Sequence, residues 1–137
     1  MHPSLGLTPA ALEFTRDRHL AILSTLGPTG LLHSVPVGFT LEDGVVRVIT
    51  GDGTQKVRNV ERGLQASVAQ VDGVRWISFQ GVATINRDPA AIAHAVELYA
   101  GRYRQPRVNP LRVVIEIEVG RVLASSGLLA KDAPEAS

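Results

Sequence analysis

The residues best suited to bind a ligand lie where a β-branched strand, Val45–Thr50, runs into a short basic helix. Gly51 and Gly53 let the backbone turn with positive φ, and Thr54 predicts a helix N-cap. The first turn of a helix exposes unpaired N–H groups at the positive end of its dipole, where anions bind. The stretch therefore predicts a phosphate site, with a solvated basic helix that binds nothing as the alternative. Lys56 and Arg58 add positive charge, and Thr50, Thr54 and Gln55 add neutral donors.

This junction matches neither of two familiar phosphate-binding motifs. No Ser or Thr follows Lys56, as a Walker loop requires, and the Gly51-Asp52-Gly53 segment lacks the third glycine of a dinucleotide fingerprint. The chain also has no G-x-S-x-G motif, and its four histidines show no metal-ligand spacing. The sequence thus predicts a generic anion site without a catalytic triad and with no metal.

Composition favours one cytoplasmic domain spanning residues 1–137, with residues 1–7 and 125–137 as loose tails. The net charge of +1 gives no global attraction to nucleic acid or to an anionic membrane. The absence of cysteine excludes disulfides, and the N-terminus has no apolar signal segment. No apolar run reaches the roughly 20 residues that span a bilayer.

Alternating apolar residues separated by turns predict six strands, and helices are expected at Pro9–Arg18, after Thr54 and after Asp88-Pro89. Asp72-Gly73 is a strong hairpin signal, and Gly81 predicts a bulge. Strands joined mostly by hairpins favour a mainly β fold, a six-stranded antiparallel β-barrel with peripheral helices. The narrow interior of so small a barrel is filled, so a bulky ligand would need a groove between two copies.

Two further stretches stand out. Leu31–Leu41 is predicted as a strand, but Pro36 and Gly38 interrupt it and place it at an edge or a bulge. The segment from Arg102 to Arg112 predicts a basic loop containing four arginines, whose alternatives are a solvated edge or a site for substrate carboxylates. In the helix before it, Ile92, Val96, Tyr99 and Tyr103 fall at helical spacing and are expected to be core contacts.

The segments TGDGTQKVRN, QVDGVRW and RYRQPRVNP, with this order of elements, resemble the split β-barrel flavin and deazaflavin oxidoreductases related to pyridoxamine 5′-phosphate oxidase. The resemblance covers about Thr8 to Leu123. It is nearest to the small members that use coenzyme F420, the F420H2-dependent biliverdin reductases. It implies an FMN-binding-like split barrel and a homodimer with the cofactor in a groove between subunits.

Carried over by position, the resemblance implies three groups of cofactor contacts. The phosphate end would contact Thr50, Thr54, Gln55 and Lys56. The deazaflavin ring would lie along His33, Val35, Pro36 and Val37. The hairpin of the other subunit would contribute Gln70, Arg75 and Trp76.

The implied reaction is hydride transfer from reduced F420 to a conjugated acceptor such as biliverdin, with Arg104 and Arg107 meeting the acceptor's carboxylates. An FMN-dependent oxidase or reductase and a non-catalytic carrier of F420 or a tetrapyrrole are the alternatives. A nucleic-acid-binding barrel is disfavoured, because the arginines lack interleaved exposed aromatic residues.

Overall fold

The computed structural model describes residues 5–130, which form seven strands and three helices. In chain order these are α1 (Pro9–Arg16), β1 (Ala21–Leu26), β2 (Leu32–Val37), β3 (Thr40–Glu42), β4 (Val45–Gly51), α2 (Gln55–Gly63), β5 (Gln65–Asp72), β6 (Arg75–Asn86), α3 (Pro89–Arg102) and β7 (Arg112–Ala124). All strands belong to one antiparallel sheet, ordered β2-β1-β5-β6-β7-β4-β3. The mainly β, antiparallel fold predicted from the sequence is confirmed.

The predicted strand Leu31–Leu41 is in fact two strands, β2 and β3, which form the two edges of the sheet. The strand is interrupted at Gly38, where an added Cβ would lie 3.0 Å from the Tyr99 ring and 3.1 Å from the Tyr103 ring. The next residue, Phe39, is fully buried. Two tyrosine rings and an inward-turned phenylalanine thus replace strand pairing here, and the sheet has seven strands where the sequence predicted six.

The sheet curls around a core of aliphatic and aromatic side chains. Leu23, Val68 and Ile115 are fully buried, and the Phe39 and Phe79 rings meet edge to face with centroids 6.0 Å apart. The alternation of β1 is clear, since its inward residues are buried whereas Ile22 and Leu26 point outward. The outer face of the sheet therefore carries apolar side chains as well.

The hairpin turn and the β-bulge lie at the positions predicted from the sequence. Asp72 pairs with Arg75 across a two-residue turn, and Gly73 has φ of 62°. The ladder shifts register between Gln80 and Gly81, where a Cβ would clash with the carbonyl oxygen of Glu118. The predicted hairpin and bulge are both present.

The three helices begin where the sequence predicts, and the first ends two residues early. The first helix ends at Arg16 instead of Arg18, with the Thr8 hydroxyl accepting a hydrogen bond from Ala11 N–H at 3.2 Å. At the end of α2, Leu64 adopts the left-handed conformation, with φ of 55°. No helix among residues 5–130 is long and apolar enough to cross a membrane, and the cytoplasmic location stays a prediction.

The segments expected to be loose tails are partly ordered. Leu7 pairs with Leu129, and the Thr8 hydroxyl donates to the Gly127 carbonyl at 2.8 Å. Leu128 is buried against the core. Residues 5–7 and 125–130 therefore hold each other in place, whereas the rest of both predicted tails, 1–4 and 131–137, lies outside the described residues.

Arg102, predicted to begin the basic loop, is the last residue of α3 and a structural cross-link. Its guanidinium donates to Asp17 O at 2.9 Å, to Phe39 O at 2.6 Å and to Gln70 Oε1 at 2.6 Å. It also lies 4.6 Å from the centre of the Phe39 ring. Burial lowers the pKa of Arg102, and the three hydrogen bonds offset part of the cost of removing the charge from water.

We expect Arg102→Met to lower the free energy of unfolding by about 3 kcal/mol or more, because it leaves Phe39 O and Gln70 Oε1 without their charged donor. Urea unfolding followed by circular dichroism measures the change. Arg104→Met, an exposed arginine two residues later, should change the free energy by no more than about 0.5 kcal/mol. Equal midpoints for the two variants would refute the cross-linking role.

Candidate functional site

A cavity of about 280 Å³, hereafter the junction cavity, lies between the ends of β2 and β4, the start of α2 and the chain around α3. Four residues predicted from the sequence to contact a cofactor line it: Pro36, Val37, Thr50 and Lys56. The other lining residues were not predicted: Gly38, Ile49, Gly51, Tyr99, Pro106, Asn109 and Arg112. Folding thus joins the predicted phosphate seat to the end of the second strand.

Lys56 is one of two cationic residues that line the junction cavity, the other being Arg112. Lys56 lies in the first turn of α2, and its ammonium makes no hydrogen bond or ion pair with any residue between 5 and 130. Partial burial lowers the pKa of Lys56, because the charged form loses solvation without gaining a partner. A bound anion would supply that partner.

The strand-to-helix turn beside Lys56 is held by an ion-pair bridge. Arg87 donates to both carboxylate oxygens of Asp52, at 3.0 and 2.9 Å, and to Glu61 at 3.1 Å. The Arg87 guanidinium, through these hydrogen bonds, lowers the pKa of Asp52. The Asp52 N–H donates to Leu111 O at 2.7 Å. The bridge fixes the turn and pairs the Asp52 charge, which would otherwise oppose an anion at Lys56.

Thr54 and Gln55, the other two predicted phosphate contacts, use their side chains inside the turn and helix. Thr54 is the N-cap residue, yet its hydroxyl donates to Gly51 O at 3.0 Å and does not cap the helix. The Gln55 amide donates to Asn59 at 2.7 Å and accepts from Arg58 at 2.9 Å. Of the four predicted phosphate contacts, only Thr50 and Lys56 line the junction cavity.

The four predicted ring contacts are divided between the two faces of β2. His33, Val35 and Val37 are half-buried, whereas Pro36 lies among the exposed residues of the other face. The Nδ1 atom of His33 is buried and has no hydrogen-bond partner among the described residues. Because β2 is an edge strand, one side of its backbone is also open. Polar groups along β2 are therefore available to a ligand.

The predicted hairpin residues do not line the junction cavity of the single chain. Gln70 is fully buried, and its amide donates to Phe14 O at 2.9 Å while accepting from Arg102. This position argues against the prediction that Gln70 reaches a ligand groove. Arg75 pairs with Asp72 at 3.1 Å and lies over the Phe14 ring at 4.5 Å. Trp76 remains partly exposed near the hairpin tip.

The two predicted substrate arginines are separated by the fold. Arg104 lines a second cavity, of about 420 Å³, together with Arg18, Leu20, Tyr99 and Tyr103. Arg107 lines neither this cavity nor the junction cavity, and its carbonyl accepts from Arg112 Nη2 at 2.7 Å. Tyr99, which the sequence assigned to the core, borders both cavities. Gly38 was the available signal, because a glycine inside a strand often marks a close approach of another group.

A third and larger opening of about 1050 Å³, the outer groove, lies on the outer face of the sheet. Its apolar side chains include Leu26, Leu32, Leu64 and Val82, the last three of which are more than half exposed, at 78%, 54% and 60%. Exposed patches of this kind mark interaction surfaces. None of the predicted cofactor residues lines this groove.

Comparison with known proteins places the chain in a family. Residues 7–126 match the family described as pyridoxamine 5′-phosphate oxidase. An F420H2-dependent biliverdin reductase from Mycobacterium tuberculosis (strain CDC 1551 / Oshkosh) is 48% identical over 125 residues, which cover 90% of this chain and 91% of the relative.

Solved structures share the fold. A conserved hypothetical protein from Mycobacterium tuberculosis superposes with a TM-score of 0.75 at 24% identity, covering 90% of this chain and 88% of that one. An F420 reductase superposes with a TM-score of 0.68 at 23% identity, covering 84% of this chain and 98% of that one.

Lys56→Met should not lower thermal stability, because it replaces a poorly solvated charge with an apolar chain of similar length. The wild-type protein should gain stability as pH rises toward the ordinary lysine pKa, since the unfolded chain binds the Lys56 proton more tightly; the variant should lack this gain. Inorganic phosphate, compared with chloride at equal ionic strength, should raise the melting temperature of the wild type but not that of Lys56→Met. Arg58→Met, on the same helix but outside the cavity, is the control and should respond like the wild type.

Proposed function

The chain belongs to the pyridoxamine 5′-phosphate oxidase family, and we propose that it is an oxidoreductase that uses reduced coenzyme F420 to reduce a conjugated acceptor. The observation that carries this proposal is the unpaired, half-buried Lys56 in a cavity with Pro36 and Val37. The F420H2-dependent biliverdin reductase at 48% identity supports F420 as cofactor and biliverdin as acceptor.

The residues of the junction cavity fit one end of such a cofactor. Lys56 and Thr50 offer a charge and a hydroxyl to a phosphate group, and Pro36 and Val37 offer apolar contacts to the adjoining ring system. The cavity volume of about 280 Å³ is below the range of roughly 300 to 1,000 Å³ typical of sites that enclose a drug-sized ligand. The cavity would therefore hold the phosphate end, and residues of β2 would hold the ring system.

Reduced F420, when bound, supplies the hydride for the reaction. The protein's task is then to hold donor and acceptor within about 3 to 3.5 Å in near-attack geometry. Lys56 would hold the anionic end, and the Arg87–Asp52 hydrogen bonds would keep the turn that carries Lys56 in place. Val35 and Val37, half-buried on one face of β2, would exclude water beside the ring.

The proposed active form is a homodimer. The outer groove exposes apolar side chains that water solvates poorly, and Leu64 is held in a left-handed conformation, with φ of 55°, while 54% exposed. For a branched residue that backbone state costs about 1 to 2 kcal/mol, so exposure to water alone gives no reason to place leucine there. A second copy of the chain would bury this face, and its hairpin would bring Arg75 and Trp76 to the cofactor.

Lys56→Met is expected to weaken F420 binding about 10- to 100-fold, the effect of losing a hydrogen bond to a charged group. Titration of the purified protein with F420 and with FMN, followed by absorbance and fluorescence, measures both affinities. Arg58→Met is again the control. Equal F420 affinity in wild type and Lys56→Met would remove the phosphate seat, and tight binding of FMN alone would favour the flavin enzyme of the same family.

Leu32→Glu should convert the dimer to a monomer, because it places a charge in the apolar outer groove. Leu32 is 78% exposed in the single chain, so the substitution leaves the fold of the monomer intact. Sedimentation equilibrium distinguishes 14.6 kDa from twice that mass. Val108 is also apolar and is more exposed than Leu32, but it lies outside the groove. The Val108→Glu variant should therefore remain dimeric. A wild-type monomer that binds F420 tightly would contradict this assembly.

A further inference from the structure

The second cavity, hereafter the arginine cleft, forms where the chain entering β1 meets the end of α3. Its volume is about 420 Å³, and five residues line it: Arg18, Leu20, Tyr99, Tyr103 and Arg104. The set combines two cations, two aromatic rings and one apolar side chain. A flat molecule bearing negative charge matches that chemistry.

The aromatic wall of the arginine cleft is rigid. The Tyr99 and Tyr103 rings are 4.8 Å apart, tilted by 30°, and pack against the backbone at Gly38. The Tyr103 hydroxyl donates to His19 O at 2.6 Å and accepts from Phe39 N–H at 3.1 Å. Burial raises the pKa of Tyr103, so this hydroxyl stays protonated and keeps donating. The rings are thus held in place before any ligand binds, which lowers the ordering entropy that binding costs.

The cationic side of the arginine cleft has no internal partner. Neither Arg18 nor Arg104 makes a side-chain hydrogen bond or ion pair within residues 5–130. The neighbouring Arg102 differs, since each of its three guanidinium nitrogens donates a hydrogen bond. Single exposed arginines are usually just solvated. Two unpaired ones bordering the same aromatic cleft form a site for carboxylates, which arginine binds in bidentate geometry.

The arginine cleft adjoins the junction cavity through one side chain, Tyr99, which lines both. A ligand in the arginine cleft would touch the side chain that also borders the proposed cofactor site. This placement is what an acceptor requires, because it must approach the cofactor while its charged groups are held away from the reacting atoms.

We propose that the arginine cleft binds the acceptor of the reaction, a planar conjugated molecule with carboxylate arms, through Arg18 and Arg104 together. This inference rests on the proposed reductase function and extends it: Arg18 was not among the residues that the sequence indicated, and Arg107 is left out of the acceptor site. The carboxylates are distant from the reacting carbons, so their recognition contributes mainly to binding and little to the chemical step.

The experiment compares biliverdin, which carries two carboxylates, with its dimethyl ester, which carries none. Arg18→Ala, Arg104→Ala and the double variant are tested alongside Arg16→Ala, an exposed arginine two residues from Arg18 that lies outside the cleft. Direct binding of each tetrapyrrole is measured by absorbance titration without cofactor. Steady-state oxidation of F420H2 is measured separately, as is F420 affinity.

Each single substitution should weaken biliverdin binding and raise its KM about three- to tenfold, and the double substitution should do so more strongly. The kcat value, F420 affinity and binding of the dimethyl ester should stay at wild-type levels, as should every value for Arg16→Ala. Biliverdin binding that is equal in wild type and the double variant, or a loss caused by Arg107→Ala but not by Arg104→Ala, would overturn the inference. Selective binding of biliverdin without any oxidation of F420H2 would support the cleft and overturn the reductase function instead.

Discussion

The guanidinium of Arg102 brings together three parts of the chain on which both cavities depend. It joins the end of α3 to Asp17 after α1, to Phe39 between β2 and β3, and to the buried amide of Gln70 in β5. A half-buried cation is costly unless its donors are satisfied, and here each acceptor comes from a different element. The geometry of the site is therefore tied to the stability of the fold, because the same bonds fix the helix that carries Tyr99.

The break in the sheet at Gly38 follows from this arrangement. The tyrosine rings pack closely against Gly38, since their nearest atoms lie 3.0 and 3.1 Å from the position that a Cβ would take there. With the rings in place, β2 and β3 separate to opposite edges and Phe39 turns into the core beside Phe79. The opening created at the split is the junction cavity. A defect in strand pairing, stabilised by aromatic packing, thus makes room for a ligand.

Features set by neighbouring residues could be predicted from the sequence, whereas features set by distant partners could not. The hairpin at Asp72-Gly73 and the bulge at Gly81 follow from local backbone requirements, and both are present. The family resemblance was likewise evident from short motifs and is confirmed by the match over residues 7–126. The buried role of Gln70 and the different positions of Arg104 and Arg107 depend on contacts far along the chain, which alternation and spacing do not encode.

The charges of the protein are unevenly distributed, although its net charge is only +1. Several acidic side chains are engaged by arginines that line neither cavity, in the pairs Asp52 and Glu61 with Arg87, Glu42 and Glu116 with Arg47, and Asp72 with Arg75. Lys56, Arg18 and Arg104, in contrast, border cavities and have no acidic partner in the described part of the chain. Pairing the acids elsewhere leaves a locally positive region on a nearly neutral protein. Such a region favours the binding of anions at the two adjoining cavities, whereas the nearly neutral protein as a whole has no general attraction to nucleic acid or to anionic membranes.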